Sequence, residues 1–136
     1  MSTKPTPAPV VQIRQLWSVF RGAGREVVIH QNLDLDIDQG EMLSIVGGSG
    51  SGKTVLLRQI LGLAHQTRGS VTVLGEPAAL LGREGAASRV GMLFQHGALF
   101  SAFSVIDNIA FALRELGTLP KDLIRDAAMV KLQMVG

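Results

Sequence analysis

Cysteine is absent from this 136-residue chain, which excludes disulfides and thiolate metal centres. Charge of one sign is also scarce. The 13 Lys and Arg residues against 11 Asp and Glu leave a formal net charge of +2, and the two signs are interspersed. Without a sustained basic patch, nucleic acid is not an expected partner. No apolar run approaches the roughly 20 residues that a membrane helix requires, so the chain is expected not to cross a bilayer. The opening residues 1–10, MSTKPTPAPV, lack the apolar core of a signal peptide, and their Pro-, Thr- and Ala-rich composition predicts a disordered tail.

What is present suits one domain of about 100–150 residues. Hydrophobic residues make up 46% of the chain, and folding at this size should bury about two thirds of the unfolded surface. Residues 10–20, VVQIRQLWSVF, alternate loosely and predict a strand. In the next segment Leu33, Leu35 and Ile37 alternate with Asp34, Asp36 and Asp38. Period two places the carboxylates on one solvated face of an edge or antiparallel strand, where a metal site is not expected.

EMLSIVGG, residues 41–48, is a short, nearly continuous apolar run of the kind buried on both faces of a parallel sheet. RVGMLF, residues 89–94, is a second such candidate. Between them, KTVLLRQILGL carries Leu56, Leu57, Ile60 and Leu61 at helical spacing, with Gly62 as a plausible end. GSVTVLGE predicts a strand that turns at Gly75 to Pro77. Ser104 with Asp107 forms a capping pair that opens a helix through VIDNIAFALREL, and Pro120 stands near the start of a last helix. The order of elements predicts an α/β fold of the P-loop NTPase kind, with parallel core strands and an antiparallel N-terminal β flank.

Gly47-Gly48-Ser49-Gly50-Ser51-Gly52-Lys53-Thr54 satisfies G-x-x-x-x-G-K-[ST]. A triphosphate is bulky and highly charged, so the backbone must curl until successive N–H groups point inward. Glycines permit the curl and the close approach. The following helix adds unpaired N–H groups and the positive end of its dipole. Lys53 can reach the β- and γ-phosphates, and the Thr54 hydroxyl can ligate Mg²⁺. Average composition produces this pattern by chance in about one chain in a few hundred of this length. A bare Gly/Ser linker would also contain such residues, but the strand before and the helix after are the arrangement that the cradle needs. The motif by itself names no reaction.

Three stretches together, NLDLDIDQGEMLSIVGGSGSGKTVLLRQILGL, RVGMLFQHGALFSAFSVIDNIAFALRE and GTLPKDLIRDAAMVKLQMVG, resemble the ATP-binding subunit of ABC transporters. Within that group the chain is most similar to the ATPase of Mla/MCE-type lipid transporters, also described as a toluene-tolerance family. The resemblance covers residues 11–136, as the N-terminal part of a nucleotide-binding domain. Its P-loop is 47–54, its Q-loop starts at 95, and its helical subdomain begins at about 104.

The resemblance implies ATP and Mg²⁺ as cofactors. It implies that Gln95 approaches Mg²⁺ and the attacking water, a task that suits an amide able to donate and accept. It implies that Phe20 stacks on adenine, with Trp17 as the competitor. The region after Gln95 would touch a transmembrane permease, and a second ATPase subunit and a lipid-binding MCE-type protein would be further partners. The location implied is cytoplasmic, peripheral on the inner face of the cell membrane. Phe94, Phe100, Phe103 and Phe111 read as core plus a docking surface. His96 reads as a loop residue, while His30 and His65 sit in no motif.

The sequence departs from the family pattern in three places. It contains no LSGGQ-like signature, no four-residue apolar run ending in Asp-Glu after Gly52, and no switch histidine. The expectation is roughly the first half of an ATP-binding subunit, able to bind nucleotide without turnover. A non-catalytic binding module is the alternative for the literal chain. A small P-loop kinase is the other, with Arg83 and Arg89 as its only lid candidates.

Overall fold

A computed structural model describes residues 8–22, 24–81, 90–94 and 97–136. The chain forms two compact units that divide near residue 87.

The first unit is built on β1 (Val11–Gly22), β2 (Arg25–Ile37), α1 (Lys53–Ile60), β3 (Arg68–Val73) and β4 (Glu76–Pro77), followed by a 3₁₀ turn at Ala78–Leu80. The sheet order is β2-β1-β3-β4, and every pairing is antiparallel. The loose alternation of β1 has a structural cause. Val11 and Ile13 are buried, and then Leu16 and Ser18, so the inward phase shifts by one residue at a bulge between Ile13 and Leu16. Such an extra residue changes which face later side chains reach. Gln15 takes φ +47 there, and its N–H donates to Asp34 Oδ1 at 2.7 Å. Asp36 makes a bidentate pair with Arg14, at 2.8 Å for each bond. The Asp34 and Asp36 carboxylates thus serve the sheet, and among the described residues no group of three or more His, Cys, Asp or Glu is placed to hold a metal ion.

Helix α1 ends as its glycine predicts. Gly62 takes φ +69; its N–H donates to Gln59 O and that of Leu63 to Arg58 O. This is the paired Schellman closure.

The second unit holds α2 (Val105–Leu116) and α3 (Lys121–Val135). Ser104 caps α2, accepting from the Asp107 N–H at 3.2 Å. Gly117 closes it at φ +63. Ala110, Ile124 and Ala128 form the buried contact between the helices, with Ile106, Ile109 and Leu113 against it.

The fold class is α/β, but the parallel core strands require correction. Residues 41–48 and 90–94 run as irregular chain, with Met42 and Leu93 each 94% exposed. A strand buried on both faces needs ladder partners alongside and apolar cover above and below. The described ladders include neither segment. Val10, counted both in the tail 1–10 and in the strand 10–20, is tied to the sheet on both sides. Its N–H donates to Ile37 O at 2.8 Å, and its carbonyl accepts from Leu74 N at 2.7 Å. The tail residues 1–7 lie outside the described residues.

Candidate phosphate-binding site

The apolar segment 41–46 leads into the glycine-rich loop, and the loop leads into α1. Gly50 at φ +79 and Gly52 at φ +90 adopt a backbone that side chains resist. Gly52 is the N-cap of α1, and no side chain caps that end. The N–H groups of Lys53, Thr54 and Val55 therefore have no intrahelical acceptor. With the helix dipole, they form an anion-attracting end.

A Cβ at either end of the loop would be crowded. One on Gly47 would lie 2.6 Å from Ser51 Oγ, and one on Gly52 would lie 2.4 Å from Ile29 Cγ2. Lys53 folds back over the loop. Its Nζ donates to Gly47 O at 2.6 Å, Gly48 O at 2.7 Å and Ser51 Oγ at 3.1 Å. All three ammonium protons are thus held by neutral acceptors. A phosphate oxygen carries full charge and makes the stronger bond, so Lys53 is poised to exchange them. Ile29, Gly50, Ser51, Gly52, Lys53, Thr54 and Val55 line an open cleft of about 170 Å³. This volume takes phosphates rather than a whole nucleotide.

Thr54 is exposed in the first turn of α1; its hydroxyl is one of two in that lining, and the other, that of Ser51, is engaged by Lys53 Nζ at 3.1 Å. Magnesium commonly takes most of its ligands from phosphates and water, so a single hydroxyl fits an ion that arrives with a triphosphate. Phe20 lies on β1, 53% exposed and opposite Val27. Trp17 is half-buried and pairs with Arg68. Of the two aromatics, Phe20 has the free face. Gln95 and His96, like Arg83 and Arg89, lie outside the described residues.

Helical spacing suggested Leu57 for the buried face of α1, yet it is 43% exposed, whereas Leu56 and Gln59 are buried at 5% and 2%. Gln59 bonds to Ser18, with Oε1 at 3.1 Å and Nε2 at 2.9 Å from its hydroxyl. His30 Nδ1 lies 2.9 Å from the same hydroxyl. Burial pushes the His30 imidazole below the ordinary histidine range. No spacing rule signals this cluster. Only the strand register, which sets Ser18 opposite His30, brings the two together.

In the second unit, Phe100, Phe103 and Phe111 stack with ring centroids 4.9–5.8 Å apart. Phe94 is 49% exposed. Asn108 ties the loop to α2: its Oδ1 accepts from Phe100 N, and its Nδ2 donates to the carbonyls of Phe100, Phe103 and Ser104. Beside the stack, Leu99, Phe103, Val105 and Ile109 help to line an apolar groove of about 400 Å³.

The sequence profile described as ABC transporter matches residues 30–135. The methionine import ATP-binding protein MetN of Ralstonia nicotianae is 39% identical over 131 residues, covering 93% of this chain and 37% of that protein. The intermembrane phospholipid transport system ATP-binding protein MlaF of Haemophilus influenzae is 41% identical over 112 residues, covering 80% and 42%. The sulfate/thiosulfate import ATP-binding protein CysA of Xylella fastidiosa is 52% identical over 82 residues, covering 60% and 23%. The chain therefore spans less than half the length of these curated relatives. Among solved structures, a dimeric ATP-binding cassette in a post-hydrolysis state with ADP and Pi superposes with a TM-score of 0.76 at 25% identity. That match covers 91% of this chain and 56% of the other.

Proposed function

This chain belongs to the ABC transporter family, and from that premise we propose that it supplies the phosphate-binding portion of a transporter's ATP-binding subunit. The observation that carries the reading is the cradle itself: an uncapped α1 N-terminus behind Gly52 with Lys53 folded over the loop. The β- and γ-phosphates would take over the Lys53 ammonium. The Lys53–Val55 N–H groups would hold phosphate oxygens, and Thr54 would ligate Mg²⁺. Bound there, Mg²⁺ neutralises phosphate charge. Phe20 would cover one face of the adenine, in keeping with its exposure, a contact worth about 1–3 kcal/mol in comparable stacking.

Gln95 would act at the γ-phosphate end, and the segment after it, with the Phe100–Phe103–Phe111 stack, would face a transmembrane permease. In the whole protein, two ATPase subunits would close on ATP and reopen on hydrolysis at the inner face of the membrane. Phospholipid is the substrate class we propose, supported by the likeness to MlaF and by the MLFQ-GALF stretch. An MCE-type lipid carrier would then be a further partner. The likeness to MetN and CysA makes import of a small solute the second reading.

Equilibrium binding and turnover of Mg·ATP by the chain, beside Lys53→Ala, test the first part. Lys53-dependent binding without phosphate release above background is expected, because the sequence carries no apolar run ending in Asp-Glu after Gly52. Binding that survives Lys53→Ala would refute the cradle. Lys53-dependent hydrolysis would refute the expectation of no turnover.

A further inference from the structure

Helix α1 carries the cradle, yet it is thinly anchored. It has eight residues, too few to be stable alone in water. Its buried side chains are Leu56 and Gln59. One apolar contact fixes little about where such a short helix lies along its axis or how it is rotated. Gln59 supplies a second, directional anchor through the Ser18 hydroxyl.

The same cluster reaches the other end of the helix. His30, bonded to Ser18 through Nδ1, has its ring edge against Gly52. A Cβ added to Gly52 would lie 2.7 Å from His30 Nε2 and 3.1 Å from Cε1. Ser18 and His30 face each other across the β1–β2 ladder, with register shifts on both sides of Ser18 and Asn32 nearby at φ +49. Bulges of this kind re-aim side chains beside functional sites. Here they bracket Ser18, which bonds to Gln59, and His30, which lies against Gly52.

We propose that His30, Ser18 and Gln59 are positioning residues for nucleotide binding, clamping α1 at Gly52 and at Gln59 so that Lys53 and Thr54 meet the phosphates in register. The Ser18 hydroxyl is the hub. It can donate to Gln59 Oε1 while accepting from His30 Nδ1–H, or accept from Gln59 Nε2 while donating to His30 Nδ1. In either arrangement each of the three side chains keeps at least one bond, and the first also gives Gln59 Oε1 its donor. This role rests on the reading of residues 47–54 as a triphosphate cradle.

The test is Mg·ATP affinity of the whole chain, in wild type and in the Lys53→Ala, Ser18→Ala, Gln59→Leu, His30→Leu and His30→Asn variants, scored per folded molecule. Losing one buried hydrogen bond corresponds to roughly a 3- to 10-fold change in an equilibrium. Ser18→Ala, Gln59→Leu and His30→Leu are each expected to weaken binding by about that factor. His30→Asn keeps a polar atom near the Nδ1 position and is expected to restore affinity to within about twofold of wild type. Wild-type affinity in all three disrupting variants, while Lys53→Ala abolishes binding, would overturn the positioning role and leave the cradle standing. Equal weakening by His30→Asn and His30→Leu would also overturn it, because packing alone would then account for the effect. Binding indifferent to Lys53→Ala would overturn the cradle, and the positioning role with it.

Discussion

Gly52→Ala is the perturbation that presses hardest on the geometry. At φ +90 an alanine pays the left-handed penalty of about 1–2 kcal/mol. Its methyl carbon would also lie 2.4 Å from Ile29 Cγ2 and 2.7 Å from His30 Nε2. Neither neighbour retreats freely. Both belong to β2, and His30 is held by Ser18. Forcing an extra carbon into such a contact costs about 1–3 kcal/mol. The total expected loss is about 2–5 kcal/mol. Gly50→Ala is the internal control. Its φ of +79 carries the same backbone strain, but nothing lies within 4 Å of the added carbon, so about 1–2 kcal/mol is expected. Urea unfolding followed through Trp17, the single tryptophan, reports on β1 and so on the first unit. Equal destabilisation by the two substitutions would refute the steric reasoning and leave only backbone conformation.

Three further substitutions have expected outcomes. Ser104→Ala removes the α2 cap and should cost about 0.5–2 kcal/mol, read as lost helical ellipticity on heating. The Ser104 hydroxyl, and then Arg114, hold the Asp107 carboxyl below its ordinary range. That contribution is present above the unfolded value of about 3.9 and is lost as pH falls through the folded one; in Ser104→Ala the acid-induced loss should shrink. Asn108→Ala strips partners from the Phe100 amide and from the Phe100 and Phe103 carbonyls, and should speed proteolytic cleavage between residues 97 and 104. Because burial favours neutral His30, the unfolded chain takes up the proton more readily. Stability of the first unit is then full above about pH 6.5 and declines as pH falls toward the lowered folded value. His30→Asn should flatten that part of the pH–stability curve.

Much of the local structure was legible because its signals are local. The Gly-Lys-Thr sequence, the Ser104–Asp107 cap, the Gly62 stop and the DLDID alternation each act within a few residues, and each appears where the sequence puts it. The bulge at Gln15 and the burial of Gln59 were not legible, since both depend on what a neighbouring strand offers. Residues 41–48 show the same limit in reverse. Their apolar run states what the segment would need, but whether partner strands lie alongside is a property of the ladder. In the site, Lys53, Thr54 and the glycines followed from the motif. His30 did not, because its signal is a cross-strand pairing with Ser18 rather than a spacing.

The central claim is that residues 47–54 receive a triphosphate. The most direct measurement is a titration of the ¹⁵N-labelled chain with Mg·ATP, followed through backbone amide shifts. The account predicts saturable shifts centred on Gly48 to Val55, absent in Lys53→Ala and reproduced in part by tripolyphosphate. Saturable shifts that leave those amides unmoved, or that persist unchanged in Lys53→Ala, would contradict it.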